Sequence, residues 1–280
     1  MKLGTLLRLS DASAADASFK KLSDMGFRAC QLVYKPERYC SEDAFAIKAA
    51  AERYGVEIAA QFCGYYDNAT VWDNYEGFRT SGLNVQPYAE SRFAYVCAAA
   101  EFARAAGIED IVVHGGFVPN NPFSEEYKEH LDIIRRLAEY LRGLGMNLLL
   151  ETGGESSVAL LRMILDSGCD NIFVNLDPAN MIMYGYANPV DSLYTIGKYV
   201  RCIHGKDGVP PTDPVKLGEE TRVGDGMVDF EKMFAKLYEL GYDRYVIIER
   251  EITGDKQIAD IVHAKEYFKT VLTKVGYTVE

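Results

Sequence analysis

The sequence predicts a single closed (β/α)8 TIM barrel, and three observations carry that prediction. Short apolar runs alternate with longer segments of helical period, eight times along the 280 residues. The runs are apolar at consecutive positions, as in parallel strands buried on both faces. No G-x-G-x-x-G follows the first run, which argues against an open doubly wound sheet. No linker or low-complexity tract breaks the pattern, so one domain over 1–280 is expected.

In chain order, the first run is "KLGTLL", too short for a signal peptide and interrupted by Arg8. The second, "ACQLVY", is followed by the helix candidate "SEDAFAIKAAAERYG", with Ser41 as N-cap and a terminal Gly as C-cap. After the third, "EIAAQFC", comes a connection over about 64–86 that is too long for a turn. Tyr65, Tyr66, Trp72 and Tyr75 give it the aromatic content of an ordered lid. The helix candidate "ESRFAYVCAAAEFARAAG" leads to the fourth run, "DIVVHGG", and then "SEEYKEHLDIIRRLAEYLRGLG" opens on Ser124 with acidic residues in its first turn. "NLLLET", "IFVNLD" and "RCIHGKD" are the fifth, sixth and seventh runs. A second long connection, about 205–228, precedes the helix "DFEKMFAKLYELGY" and the last run, "YVIIERE".

A formal net charge of −11 argues against nucleic acid and anionic membrane surfaces as partners. The six cysteines show no CxxC spacing, and several lie inside apolar runs, as free thiols do in a reducing, cytoplasmic setting. No stretch reaches the length of a membrane span.

A barrel of this type carries its site at the C-terminal ends of its strands. Runs five to eight end in Glu151, Asp177, His204 and Glu249. An Asp before Pro is usually a turn, and a strand-end Glu is often solvated. Equivalent positions on four successive strands are a different matter. Three clustered carboxylates repel one another unless a cation lies between them, so these four are the predicted metal ligands. Oxygen-rich ligation with one nitrogen suits Mn²⁺, Mg²⁺ or Co²⁺ better than a structural Zn²⁺, although Zn²⁺ is possible. Such an ion would polarise an α-hydroxycarbonyl and stabilise an enediolate. Glu151 and Glu249 are the candidate acid/base pair. His114, Asn180, Lys206 and Arg222 are expected to contact substrate, with Arg222 and the "VGDG" turn closing over it. Arg250 is turned from the lumen by alternation, whereas His130 and His263, mid-helix among charges, are expected on solvated faces.

At these residues the sequence resembles the xylose-isomerase-like superfamily of sugar (phosphate) isomerases and epimerases. "TSGLNVQPYAESR", "HGGFVP", "LLLETG", "NLDPANMIMYG", "HGKD", "VGDGMVDF" and "IIERE" occur in the order that family shows. The resemblance implies one divalent metal on Glu151, Asp177, His204 and Glu249, with both glutamates doubling as acid and base. It also implies a small carbohydrate substrate and admits a homo-oligomer. Asn180 stands where the ketose 3-epimerases and hydroxypyruvate isomerases carry a His, which departs from the pattern for free ketohexoses. The apurinic endonucleases of the superfamily need further His ligands that are missing here. Three functions follow: an isomerase or epimerase of a sugar, keto-sugar or sugar phosphate, working through an enediolate; a lyase or dehydratase on a keto-inositol or keto-glycoside; and a non-catalytic carbohydrate-binding barrel.

Overall fold

The computed structural model describes residues 1–65, 67 and 69–280; Tyr66 of the first long connection lies outside the described residues. Among the described residues the strands are β1 (Lys2–Leu7), β2 (Ala29–Val33), β3 (Glu57–Cys63), β4 (Asp110–His114), β5 (Asn147–Glu151), β6 (Ile172–Leu176), β7 (Val200–Gly205), β8 (Asp207–Val209), β9 (Glu219–Thr221) and β10 (Tyr245–Ile248). The helices are α1 (Ala15–Asp24), α2 (Asp43–Tyr54), α3 (Gly77–Thr80), α4 (Ala89–Ala106), α5 (Glu125–Gly143), α6 (Ser157–Ser167), α7 (Pro178–Tyr184), α8 (Pro189–Ile196), α9 (Phe230–Glu239) and α10 (Asp255–Val275). Eight strands close a parallel barrel in the order β1-β10-β7-β6-β5-β4-β3-β2. The eight predicted runs are those eight strands. β8 and β9 form a separate antiparallel hairpin inside the second long connection, and α3 lies inside the first.

The barrel is held by two apolar layers. Small and branched side chains (Ala29, Ala60, Val112, Leu149, Ile247) pack in the lumen. Gly4 is needed there, because a Cβ would lie 2.4 Å from the Ala29 carbonyl oxygen. A second cluster, including Phe19, Phe102, Leu137, Phe234 and Phe268, fills the space between strands and helices. At the N-terminal ends of the strands, buried Asp110 accepts 2.8 Å hydrogen bonds from Arg201 Nε and one of 2.7 Å from Asn147 Nδ2. Registers set the height of the opposite end, with Glu151 beside Asn175 and His204 beside Ile247. No described helix is long and apolar enough to cross a membrane.

Several local expectations need correction. Ser124 caps α5, its hydroxyl accepting from Tyr127 N, but Ser41 does not cap α2. That helix begins two residues later, and the Asp43 carboxylate takes the Cys40 N–H instead. His263 is half-buried rather than solvated, with Nε2 3.1 Å from the Val223 carbonyl oxygen. His130 is buried on the inner face of α5, alongside Tyr127, Ile134 and Leu137.

Burial pushes the His130 pKa down to about 4, and a hydrogen bond with the Gly115 backbone only partly opposes this. Below the ordinary value of 6.5, the unfolded chain binds a proton that the native state refuses. The stabilisation is complete above that value and is lost as the pH falls toward 4, by about 3 kcal/mol. Urea unfolding of wild type is therefore expected to weaken across this window, and His130→Gln should flatten the acid limb. Parallel curves for the two proteins would contradict this.

Candidate metal centre

Each predicted ligand is delivered by the local logic of a strand end. Glu151 is the last residue of β5, His204 lies in β7, and Glu249 directly follows β10. Asp177 follows β6 as the N-cap of α7, with Pro178 at the first helical position, where no N–H is needed. One carboxylate oxygen, Oδ1, accepts the Asn180 N–H at 2.9 Å, which leaves Oδ2 for the lumen. The Thr152 hydroxyl ties the same residue to β5, donating to Asp177 O at 2.9 Å and accepting from Asp177 N at 2.8 Å. The Asp-Pro step is both a helix start and a candidate ligand position.

Glu151, Asp177, His204 and Glu249 converge: one ligand atom from each lies within 4.8 Å of all the others. His204 Nδ1 is 2.9 Å from Glu151 Oε1, 3.0 Å from Glu249 Oε2 and 3.5 Å from Asp177 Oδ2. All four residues are buried. Glu151 Oε2, Asp177 Oδ2, His204 Nδ1 and Glu249 Oε2 have no hydrogen-bond partner among the described residues. Buried polar atoms are rarely left unpaired, and several of the unpaired ones fall within this one cluster. Three anionic oxygens and one ring nitrogen fit a divalent cation of the hard-to-borderline type.

The ring nitrogen is presented by a residue that sequence reading missed. Gln31, fully buried in β2, donates from Nε2 to Asn175 Oδ1 at 3.2 Å. That fixes its amide and leaves Oε1 to accept from His204 Nε2 at 2.9 Å. This acceptor keeps a hydrogen on Nε2 and turns Nδ1 toward the carboxylates, where a bound cation would take the place of its proton. The only hint in the sequence is a polar residue in the middle of "ACQLV".

The electrostatics follow from burial and crowding. Burial alone would raise Glu151, but His114 and His204 bring it down to about 2. Glu249 is likewise held well below the carboxylate range, as Lys206 and His204 overcome burial. For Asp177 burial wins over Lys206 and His204, and its pKa is raised. His204 and Lys206 should lose charge on burial, yet the surrounding carboxylates, Glu249 first, hold both well above their ordinary values.

Of the expected substrate residues, three surround this cluster. Lys206 Nζ is 2.9 Å from Glu251 Oε1, 3.2 Å from Asn180 Oδ1, 3.6 Å from Glu249 Oε2 and 3.7 Å from Asp177 Oδ2. Asn180 therefore orients the lysine beside the ligands. His114 Nδ1 stands 2.9 Å from Glu151 Oε2, and its ring centre is 4.8 Å from that of Trp72. Arg222 is placed elsewhere. Its guanidinium is exposed and pairs with Asp225 at 2.9 Å. The "VGDG" turn is wound around Asp207, whose carboxylate accepts from the N–H groups of Gly208, Gly224, Gly226 and Val228 at 2.9–3.1 Å. A Cβ on Gly226 would lie 2.1 Å from Asp207 Oδ1, so this turn cannot be built with a larger residue. Arg250 is buried away from the ligands between Glu220 (2.8 Å) and Asp260 (2.9 Å).

The two long connections meet over the mouth. Asn74 N donates to Val215 O at 2.6 Å, and Asn74 Nδ2 donates to Lys216 O at 3.2 Å. The first connection is anchored by Arg92 of α4, also unread in the sequence. This buried guanidinium binds Asp67 through Nε and Nη2 at 2.6 and 3.0 Å and takes the Thr80 and Gly82 carbonyls. Phe117 stacks on Phe78 with centroids 4.3 Å apart, and it lies so close to Gly154 that a Cβ there would be 2.6 Å from the ring. A small space of about 10 Å³, with Glu151 in its wall, is lined by Trp72, His114, Phe117, Glu155 and Tyr184. A cleft of about 680 Å³ also opens at the opposite end of the barrel. Its cations and carboxylates, such as Lys2 with Glu57 and Arg201 with Asp110, neutralise one another, and it lies at the end of the barrel away from the candidate ligands.

The xylose isomerase-like TIM barrel family matches residues 19–271. An uncharacterized protein of Methanocaldococcus jannaschii is 24% identical over 293 residues, covering 100% of this chain and 92% of its own. An inosose dehydratase of Geobacillus kaustophilus is 23% identical over 260 residues, with 87% and 82% covered. Among solved structures, a xylose isomerase domain protein from Planctomyces limnophilus superposes with a TM-score of 0.87 at 29% identity, covering 98% of this chain and 97% of its own. A 3-keto-D-glucoside 4-epimerase from E. coli has the same fold at a TM-score of 0.71 and 18% identity, with 96% and 99% covered. The family match takes in both barrel halves and every candidate ligand, and this chain belongs to the xylose isomerase-like TIM barrel family.

Proposed function

We propose that this chain is a metal-dependent isomerase or epimerase that moves a proton beside the carbonyl of an unphosphorylated sugar or keto-sugar. The observation that carries the reading is the convergence of four buried residues whose ligand atoms lie within 4.8 Å of one another, two of them glutamates from different strands. A divalent cation on Glu151, Asp177, His204 Nδ1 and Glu249 would polarise the carbonyl and stabilise negative charge on its oxygen. Glu151 and Glu249, ionised at neutral pH, reach the site from β5 and from the end of β10. One, as the carboxylate, takes the proton from the carbon next to the carbonyl; for epimerisation the other must first take up a proton from solvent, which it then gives to the opposite face. The Lys206 ammonium offsets charge developing on a substrate oxygen, and Asn180 keeps it in place. Trp72 and Phe117 supply apolar faces for the sugar ring and keep water out.

The small space beside Glu151 has no lysine or arginine in its wall among the described residues, its titratable members being Glu151, Glu155, His114 and Tyr184, and Lys206 stands on the ligand side. A phosphate would meet carboxyl groups there, which favours a neutral substrate. The free cysteines fit a reducing, cytoplasmic setting.

A second reading, loss of water from a keto-inositol or of the aglycone from a keto-glycoside, uses the same first proton abstraction. It is supported by the likeness to inosose dehydratase over most of the chain. Incubation with inosose and a 3-keto-glucoside in deuterated water separates the readings by product mass. Isomers that carry solvent deuterium support the first. A product lighter by the leaving group supports the second. Absence of both deuterium uptake and product would overturn the two together.

A further inference from the structure

Glu155 is a carboxyl group that the proton-transfer scheme does not use. It follows "ETGG" between β5 and α6, is only 4% exposed, and lines the small space beside Glu151 with Trp72, His114 and Tyr184. No lysine, arginine or histidine pairs with it among the described residues. Its Oε1 accepts the Gly153 N–H at 3.2 Å, so that oxygen is occupied as an acceptor. Asp177 and Glu249, equally buried, each have Lys206 and His204 beside them. Glu155 shares its cavity with aromatic rings, His114 and Glu151, and has no ion-pair partner among the described residues.

We propose that Glu155 is a substrate-contacting residue that donates its carboxyl O–H, through Oε2, to an oxygen of the bound sugar. The inference rests on the function proposed above and adds a donor to a site whose other carboxyls only accept. Burial pushes the Glu155 pKa up to about 8, and Glu151 adds to the rise, while the Gly153 N–H and His114 oppose it. Of the other titratable groups in the wall, His114 and Glu151 pair with each other at 2.9 Å, and Tyr184 has its own pKa raised by burial and stays neutral. At neutral pH the group is therefore an acid, and Oε2 carries the hydrogen. Its partner is a carbonyl, ring or hydroxyl oxygen of a neutral sugar. A substrate carboxylate or phosphate is disfavoured, because it would sit beside Glu151 as well.

The test uses the metal-loaded protein. Infrared difference spectra of wild type against Glu155→Gln should reveal one buried protonated carboxyl at pH 7 that is lost as the pH rises through about 8. Addition of inosose or of a 3-keto-glucoside should shift that band, as a new hydrogen bond requires. Glu155→Leu should keep its metal and its fold, judged by metal content and thermal melting, while kcat/KM falls about 10- to 100-fold, the usual size of a lost donor to a substrate oxygen. Glu155→Gln, which keeps an N–H donor at the same reach, should recover most of this and lose the fall in activity above pH 8. A wild-type band that neither probe moves, or unchanged kcat/KM in Glu155→Leu, overturns the proposal. Solvent deuterium exchange by wild type, measured alongside, reports on the proposed function separately.

Discussion

Glu249→Gln is expected to lower turnover by about 10³-fold, and Glu151→Gln by a similar factor, since each removes a general acid/base. Gln has nearly the shape of Glu and keeps an oxygen where Glu249 Oε2 stands, 3.0 Å from His204 Nδ1 and 3.6 Å from Lys206 Nζ. What it loses is basicity and charge. With metal supplied at saturation, the loss should fall on kcat and leave KM within a few-fold, because the missing interaction belongs to the transition state. The two variants should also differ from each other. If each glutamate serves one face of the substrate, each variant retains deuterium exchange with one epimer while failing to interconvert the pair. Wild-type rates in both variants would contradict the assignment of the acid/base pair.

The second large effect is expected at Gln31, which touches neither substrate nor metal. Gln31→Leu should weaken metal binding by about 10- to 100-fold, the usual result of removing the partner that orients a ligating histidine. Without Oε1 the His204 Nε2–H has no acceptor 2.9 Å away, and nothing selects the tautomer that bares Nδ1. The variant also leaves Asn175 Oδ1 without its 3.2 Å donor, so a stability loss of about 1–3 kcal/mol should accompany the affinity change. Calorimetric titration of metal into the stripped protein checks the first effect and urea unfolding the second. Unchanged affinity would mean that the ring is held by packing alone.

The barrel was legible because parallel strands buried on both faces are written as uninterrupted apolar runs, and β2 is buried at every position. The convergence of the four candidate ligands was legible because the fold brings strand ends to one face, so a polar residue closing an apolar run points there. Gln31 escaped for the opposite reason. It sits in mid-strand, and its partner His204 is 173 positions away in sequence. His130 was misassigned by reading its charged neighbours along the chain. Its spacing from Tyr127, Ile134, Leu137 and Leu141 follows the buried face of α5, and the helical period should have been given precedence. Arg222 was assigned to the mouth because it lies on a long connection, but that connection folds into β8 and β9 and spends its glycines on Asp207. The clasp between Asn74 and Val215 joins loops from separate βα units, and no local pattern encodes it.

The central claim is the metal centre, and the most direct measurement is elemental analysis of the purified protein beside Asp177→Ala, followed by titration of each with Mn²⁺, Mg²⁺ and Co²⁺. One equivalent of a divalent ion per wild-type chain, absent from the variant, is the predicted result. Added metal should raise the melting temperature of wild type alone, by mass action on the folded state. Wild-type protein that neither carries nor takes up a divalent ion would contradict the account, leaving the barrel and its buried carboxylates without the chemistry proposed for them.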